Sequence, residues 1–266
     1  MTRFSLSGNK AARRRGIRSV VATWLLLLSL TPLMASENEV PAAFEQANLL
    51  YEQGDYPAAA DAFLELIEGG QASASVHFNR ANTLYQMGDI GLALVEYHRA
   101  LALDPRDPDI KANIQFTREK LGPNVTVPKT FWQKFMLQIT LNEWTLLAAL
   151  PYWIWTLTWV ISLVWANHPA WIRPLRQIGG LCFVVTGLFL LMAAHERLGK
   201  EYAIVTSKEA VVRFGPFEES KSSHSLTDGL EVQLVDSKDD WRQIRDPRGQ
   251  IGWVRENNLQ LLPRLP

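Results

Sequence analysis

Five histidines, one cysteine and one pair of adjacent aspartates are the residues of this 266-residue chain that could carry reaction chemistry. His77, His98, His168, His195 and His224 never recur at metal-ligand spacing, and no His-Glu-x-x-His occurs. Phosphate-loop, Gly-x-Gly-x-x-Gly and Gly-x-Ser-x-Gly sequences are missing as well. Cys182 stands alone, which excludes an internal disulfide and a thiolate zinc site, and its apolar surroundings predict a small buried hydrophobe. Asp239-Asp240 reads as a solvated turn, and His195-Glu196-Arg197 as a set of anchors beside an apolar segment. These residues imply no catalytic set, no metal and no cofactor. What remains is chemistry of recognition, carried by asparagines and aromatic rings whose placement depends on the surrounding elements.

Charge divides the chain. The total is neutral, with 27 basic and 27 acidic residues, yet Met1 to Arg18 holds six basic residues and no acid. Glu37 to Thr130 has seven basic against 14 acidic residues. Phe131 to Gly199 carries only four and two, and Lys200 to Pro266 ten and 11. This profile describes a modular chain with an apolar middle, and beyond the N-terminal tip nothing suits nucleic acid.

The basic tip precedes an apolar run, Val20 to Leu30, and the small-residue exit Met34-Ala35-Ser36. That anatomy predicts a secretory signal over residues 1–35, or an N-terminal anchor where cleavage fails. Two further segments are apolar enough to cross a bilayer. Trp144–Trp165 has 22 residues, about 33 Å as a helix, with tryptophans near its ends and Pro151 inside. Ile178–Ala194 is a second span of 17 residues. Arg173 and Arg176 in the connecting loop place it in the cytoplasm. Both flanking modules then face the same side, outside the cytoplasmic (inner) membrane of a bacterium and in contact with its lipid.

Between residues 40 and 122 the chain repeats itself at a period of 34. Ala47 aligns with Ala81, Asn48 with Asn82, Leu50 with Leu84 and Tyr51 with Tyr85. Gly54-Asp55 aligns with Gly88-Asp89, Ala59 with Ala93 and Phe63 with Tyr97. Small residues recur where helices cross and large ones beside them, so this region resembles the tetratricopeptide repeat (TPR). The resemblance implies two helical pairs plus a capping helix from Pro108 to Leu121. It also implies a groove that binds partner segments, lined by Asn48, Tyr51, Phe78, Asn79, Asn82, Tyr85 and Asn113, with Phe44 and Phe116 beside them. Asn48 and Asn79 fall where carboxylate-gripping members carry asparagines, but Phe44 and Asp109 stand where lysines would be. A neutral or basic segment suits this acidic module better than a terminal carboxylate.

From Glu201 the pattern changes to short alternating runs: 203–205, 210–213, 230–235, 241–244 and 252–254. Asp228-Gly229 and Arg248-Gly249 supply tight turns. The phrases Val212-Arg-Phe-Gly-Pro216, Asp240-Trp-Arg-Gln-Ile244 and Gly249-Gln-Ile-Gly-Trp-Val254 resemble the bacterial SH3 family. That resemblance implies a small all-β barrel over 201–263, with Phe214, Phe217, Trp241 and Trp253 as candidates for a peptide or peptidoglycan cleft.

The expected fold class is therefore multidomain: an α-helical TPR pair, two transmembrane helices and an SH3-like barrel. The order of the parts is similar to that of the BatE family of the Bat aerotolerance group. Membership would imply a scaffold among membrane proteins with von Willebrand A domains, working with a MoxR-type ATPase. The competing expectation is a cell-wall receptor acting through the barrel.

Overall fold

A computed structural model describes residues 42–123, 125–165 and 169–264; the segment expected to be a signal lies outside them. Five helices come first: α1 (Ala42–Glu52), α2 (Tyr56–Glu68), α3 (Ala74–Met87), α4 (Ile90–Leu103) and α5 (Pro108–Leu121). Their ends follow from local chemistry. The Asp55 carboxylate accepts from Ala58 N–H, Ser73 Oγ from Val76 N–H, and the Asp107 carboxylate from the N–H groups of Asp109 and Ile110. Gly88 ends α3 at φ 86°, where the left-handed backbone favours a residue without Cβ.

The small residues of the repeat are fully enclosed: Ala47, Ala59, Ala81 and Ala93 are each 0% exposed. Phe63 fills the first repeat beside Leu66 and Val76. Tyr97 fills the second with Leu84, Leu94, Ile110 and Ile114. Leu66 is absorbed in the same core. Inside the second repeat lies the carboxylate of Glu96. It pairs with Arg80, with Arg99 at 2.7 Å, and with His77 Nδ1 at 2.6 Å. Burial alone would raise its pKa, but the His77 hydrogen bond and the two guanidinium charges hold it below the usual range.

A short helix follows, α6 (Phe131–Gln138), in a stretch whose spacing predicts no element. A reciprocal capping box between Thr130 and Gln133 starts it. Its inner side puts Met136 against Trp144 and Ala193, while Phe131 and Trp132 remain exposed.

Next come α7 (Leu141–Val164) and α8 (Ile172–Leu198), both long and apolar enough to cross a membrane. Both start earlier than the expected spans because a Thr140/Glu143 capping box opens α7 and α8 takes up Arg173 and Arg176, while α7 ends at Val164, one residue short of expectation. Those arginines therefore lie on a helix rather than in the loop, and Arg176 places its guanidinium 4.4 Å from the Trp159 ring. The hairpin is tight where Gly179 and Gly180 face Trp155. A Cβ on Gly180 would sit 3.0 Å from Trp155 Nε1. Trp155 stacks on Phe183, and Trp144 on Phe189.

Hydroxyls within these helices bond back to their own backbone. Thr145 donates to Leu141 O, Ser162 to Thr158 O and Thr186 to Cys182 O, so these three groups do not depend on water. Leu146, Leu163, Leu181 and Leu191 point outward. Cys182 does too, contrary to the expectation of a buried thiol, because the hairpin has only one helix with which to cover each of its members.

The C-terminal module is all antiparallel: β1 (Glu201–Val205), β2 (Glu209–Arg213), β3 (Ser222–Thr227), β4 (Glu231–Lys238), β5 (Trp241–Arg245), β6 (Ile251–Arg255) and β7 (Leu259–Leu261). Their order in the sheet is β3-β2-β6-β5-β4-β1-β7. Leu226 on one edge strand and Leu259 on the other share one core with Val205, Val212, Val232, Ile244 and Val254. The sheet is therefore rolled around a common centre. Strand β3 escapes the alternating pattern because four of its six residues are serine or histidine.

Candidate binding surfaces

The predicted groove residues separate into two groups. Asn48 and Tyr51 on α1 and Asn79 and Asn82 on α3 line one concavity of ≈ 300 Å³, together with Glu45 and Glu52. Asn79 Nδ2 donates to Asn48 Oδ1 at 2.8 Å, so the two asparagines hold each other. Asn82 Oδ1 accepts the Tyr97 hydroxyl at 2.6 Å, which ties one wall of the groove to the core. Burial, with the neighbouring Tyr51 and Tyr85 hydroxyls, raises the Tyr97 pKa and keeps that donor protonated. Tyr51 leans edge-on against Tyr56.

The second group gathers around α5. Tyr85 meets Phe116 at 5.9 Å, and the Lys120 ammonium lies 4.7 Å from the Tyr85 ring. Phe78 faces inward onto Tyr97, and Phe44 packs on Phe63, so these two rings serve the core. Asn113 donates to Asp109 O of its own helix. Glu45 and Glu52 in the concavity, and Lys120 outside it beside Tyr85 and Phe116, are residues that sequence reasoning missed. They fall on the helix faces already assigned, so helical spacing from Asn48 and Phe116 was the signal that could have found them.

On the barrel, the four aromatic candidates differ. Phe214 and Phe217 are 64% and 53% exposed. Trp241 is 6% exposed, with the Arg255 guanidinium 5.0 Å from its ring. Trp253 is half-buried on β6, its backbone paired with Arg213. Among the described residues no ring of the four touches another. Arg255 also pairs with Glu218, whose carboxylate the hydrogen bond from Arg255 holds below the usual range.

The barrel and the TPR module are in direct contact. Ile204 of β1 is enclosed in the helical core with Leu94 and Tyr97. The Arg118 guanidinium on α5 donates to Glu231 at 2.7 Å and lies 3.1 Å from His98 Nε2. Burial, reinforced by the charges of Arg118 and Lys129, pushes the His98 pKa down to about 3. Burial also lowers the Arg118 pKa, opposed by Glu231. Among the described residues no cluster of three or more metal-binding side chains occurs.

Comparisons with known proteins agree with this division. Residues 74–107 match the model of the tetratricopeptide repeat, and residues 206–260 that of the bacterial SH3 domain. The chain is similar to a "Tetratricopeptide repeat and J domain-containing co-chaperone DNJ1" of Cryptococcus neoformans, 33% identical over 89 residues. That match covers 32% of this chain and 17% of the relative. It is also similar to a human "Tetratricopeptide repeat protein 16", 28% identical over 72 residues, covering 27% of this chain and 8% of the relative. The chain thus spans less than a fifth of the curated relatives it matches. What is shown is one helical repeat module, two apolar helices and one bacterial SH3 module.

Proposed function

We propose that this protein is a non-catalytic, membrane-anchored adaptor whose TPR groove takes a neutral or basic segment of a partner protein. The observation that carries this reading is the lining of the groove, where Glu45 and Glu52 flank Asn48, Tyr51, Asn79 and Asn82 with no cation among them. Such a surface attracts basic chain and repels acidic chain, and its amides offer hydrogen bonds to an extended backbone.

Helices α7 and α8 cross the bacterial inner membrane as a hairpin, and both modules stand outside the cytoplasm. Supporting a common side for the two modules, the Arg118–Glu231 pair joins the TPR module to the barrel. Modules on opposite faces of a bilayer could not make it. The order of modules favours a Bat-type envelope complex linked to oxygen and stress tolerance, with von Willebrand A-domain proteins as partners.

The test is co-purification of the intact protein with its membrane partners, compared with Glu45→Lys/Glu52→Lys. Recovery should fall at least tenfold while the helical signal is unchanged. Undiminished recovery would sink the groove assignment. The exposed rings of Phe214 and Phe217 favour a second reading, in which the barrel holds peptidoglycan or a peptide. Retention on purified cell wall, lost in Phe214→Ala/Phe217→Ala, would establish it instead.

A further inference from the structure

Helix α6 turns two large rings outward. Phe131 is 74% and Trp132 61% exposed, and the two stand edge to face with centroids 5.7 Å apart. Trp132 reaches on to Phe135, 6.3 Å away, and Phe135 to Trp144 of α7, so the exposed pair continues the aromatic packing of the hairpin. Single exposed apolar residues are ordinary on a protein surface, but adjoining large rings mark a place that meets something other than water. Lysines flank them. Lys129 and Lys134 are exposed, and neither pairs with a carboxylate among the described residues.

The inner side of α6 is fixed at a definite level of the hairpin. Met136 packs on Trp144 and Ala193. Ala193 stands three residues before Glu196, about 4.5 Å along α8, so α6 lies where the uncharged stretch ends. Gln133 donates to Glu196 at 3.2 Å, and Arg197 to the carbonyls of Leu137 at 3.4 Å and Ile139 at 2.7 Å, which fastens α6 to α8 at both of its ends. Only Ile139 and Thr140 separate α6 from α7. In the first turn of α7, Glu143 pairs with Arg106 from the connection between α4 and α5. Charged groups therefore gather on one side of this level and apolar ones on the other.

We propose that α6 is an interfacial helix whose outward side docks on the lipid bilayer, with the rings of Phe131 and Trp132 between headgroups and acyl chains. The proposal rests on the membrane placement of α7 and α8 given above. On that placement the end of the uncharged stretch is the bilayer surface, and α6 is held there by its bonds to α8. The lipid that covers α6 is thus continuous with the lipid around the hairpin. An indole suits this layer because its body is apolar and its N–H can meet water. Lysine stems run along the apolar boundary and carry their ammonium groups out to the anionic headgroups. Clamped to α8 on one side and seated in lipid on the other, α6 limits the tilt of the hairpin and the height of the modules above the membrane.

Spin-label collision measurements on the intact protein, in liposomes of phosphatidylethanolamine and phosphatidylglycerol, test this docking. In a Cys182→Ala background a nitroxide is placed at Trp132→Cys and at two standards, Leu181→Cys on the outer side of α8 and Asp61→Cys on the exposed side of α2. Oxygen concentrates in lipid and a nickel chelate in water, so the ratio of the two collision rates names the phase around each label. The ratio at Trp132→Cys should lie between the standards and well above that at Asp61→Cys. A value equal to that at Asp61→Cys puts α6 in water and overturns the proposal. Low collision with both reagents means that protein covers the rings, which overturns it equally. Where Trp132→Cys fails to fold, Phe131→Cys carries the same reading. A label at Leu181→Cys that is open to nickel defeats the membrane placement, and the docking of α6 with it. Lipid around Leu181→Cys and water around Trp132→Cys defeat the docking alone.

Discussion

The carboxylate of Asp228, in the turn between β3 and β4, accepts the backbone N–H of Gly91 at 3.0 Å. Helix α4 therefore starts on a cap supplied by the other module, while its own N-cap residue, Asp89, makes no side-chain cap bond. The approach is so close that a Cβ at position 91 would fall 2.2 Å from Asp228 Oδ1 and 2.3 Å from Val205 O. Helix start and domain contact are one feature, and it is what holds the TPR groove at a set position relative to the barrel.

Gly91→Ala should therefore loosen the contact between modules. Neither the carboxylate-bearing turn nor the β1 carbonyl can withdraw without moving backbone, so the cost should be about 1–3 kcal/mol. Asp228→Ala removes the cap and should cost about 1 kcal/mol. Because both act on one contact, the double variant should lose less than the two losses combined, as read by denaturant unfolding. Strict additivity would show that the contact is not shared.

Acid should weaken the same interface through His98. Its pKa falls from 6.5 in the unfolded chain to about 3 in the folded protein. Between those values the unfolded chain binds the extra proton, so stability rises with pH across the window and is complete above it. Lowering the pH from 7 to 5 should cost about 2 kcal/mol from this group. His98→Gln should flatten that part of the profile in unfolding titrations at the two pH values.

Tyr97→Phe deletes the hydroxyl that holds Asn82 and leaves the ring in the core. A loss of about 1 kcal/mol is expected, since Asn82 is half-buried and can turn to water. Partner recovery should fall as well, because the amide is no longer held at the groove wall. Unchanged stability would show the hydrogen bond to be unimportant.

Gly180→Leu should separate α7 from α8. The new side chain would meet the Trp155 indole, against which even a Cβ would lie at 3.0 Å. Overpacking of about 1–3 kcal/mol should appear as a lower unfolding midpoint in detergent. Gly187→Leu is the control, since no heavy atom lies within 4 Å of a Cβ there.

Much of the architecture could be read from spacing alone. A 34-residue period places small side chains at helix crossings, because only alanine lets the backbones of Ala47 and Ala81 come so near their neighbours. Two uncharged stretches can be recognised without any knowledge of their neighbours, since length and hydropathy are local properties. Alternation marked five strands of the barrel for the same reason. Strand β3 and helix α6 were not legible, because Ser222–Thr227 is too polar and Phe131–Gln138 too short to show a period.

The groove was half legible. Helical spacing put Asn48, Tyr51, Asn79 and Asn82 on one surface, but it could not tell which polar atoms face a ligand and which face the core. Asn82 is bound to Tyr97 and Trp241 lies under Arg255, and both facts depend on partners distant in the chain or across a sheet. The modules themselves were determined by local sequence pattern. Their docking through Gly91 and Asp228, and the bond from Arg197 to the Ile139 carbonyl, were decided by tertiary structure alone, because hydrogen bonds spanning 137 and 58 residues leave no trace in any local period.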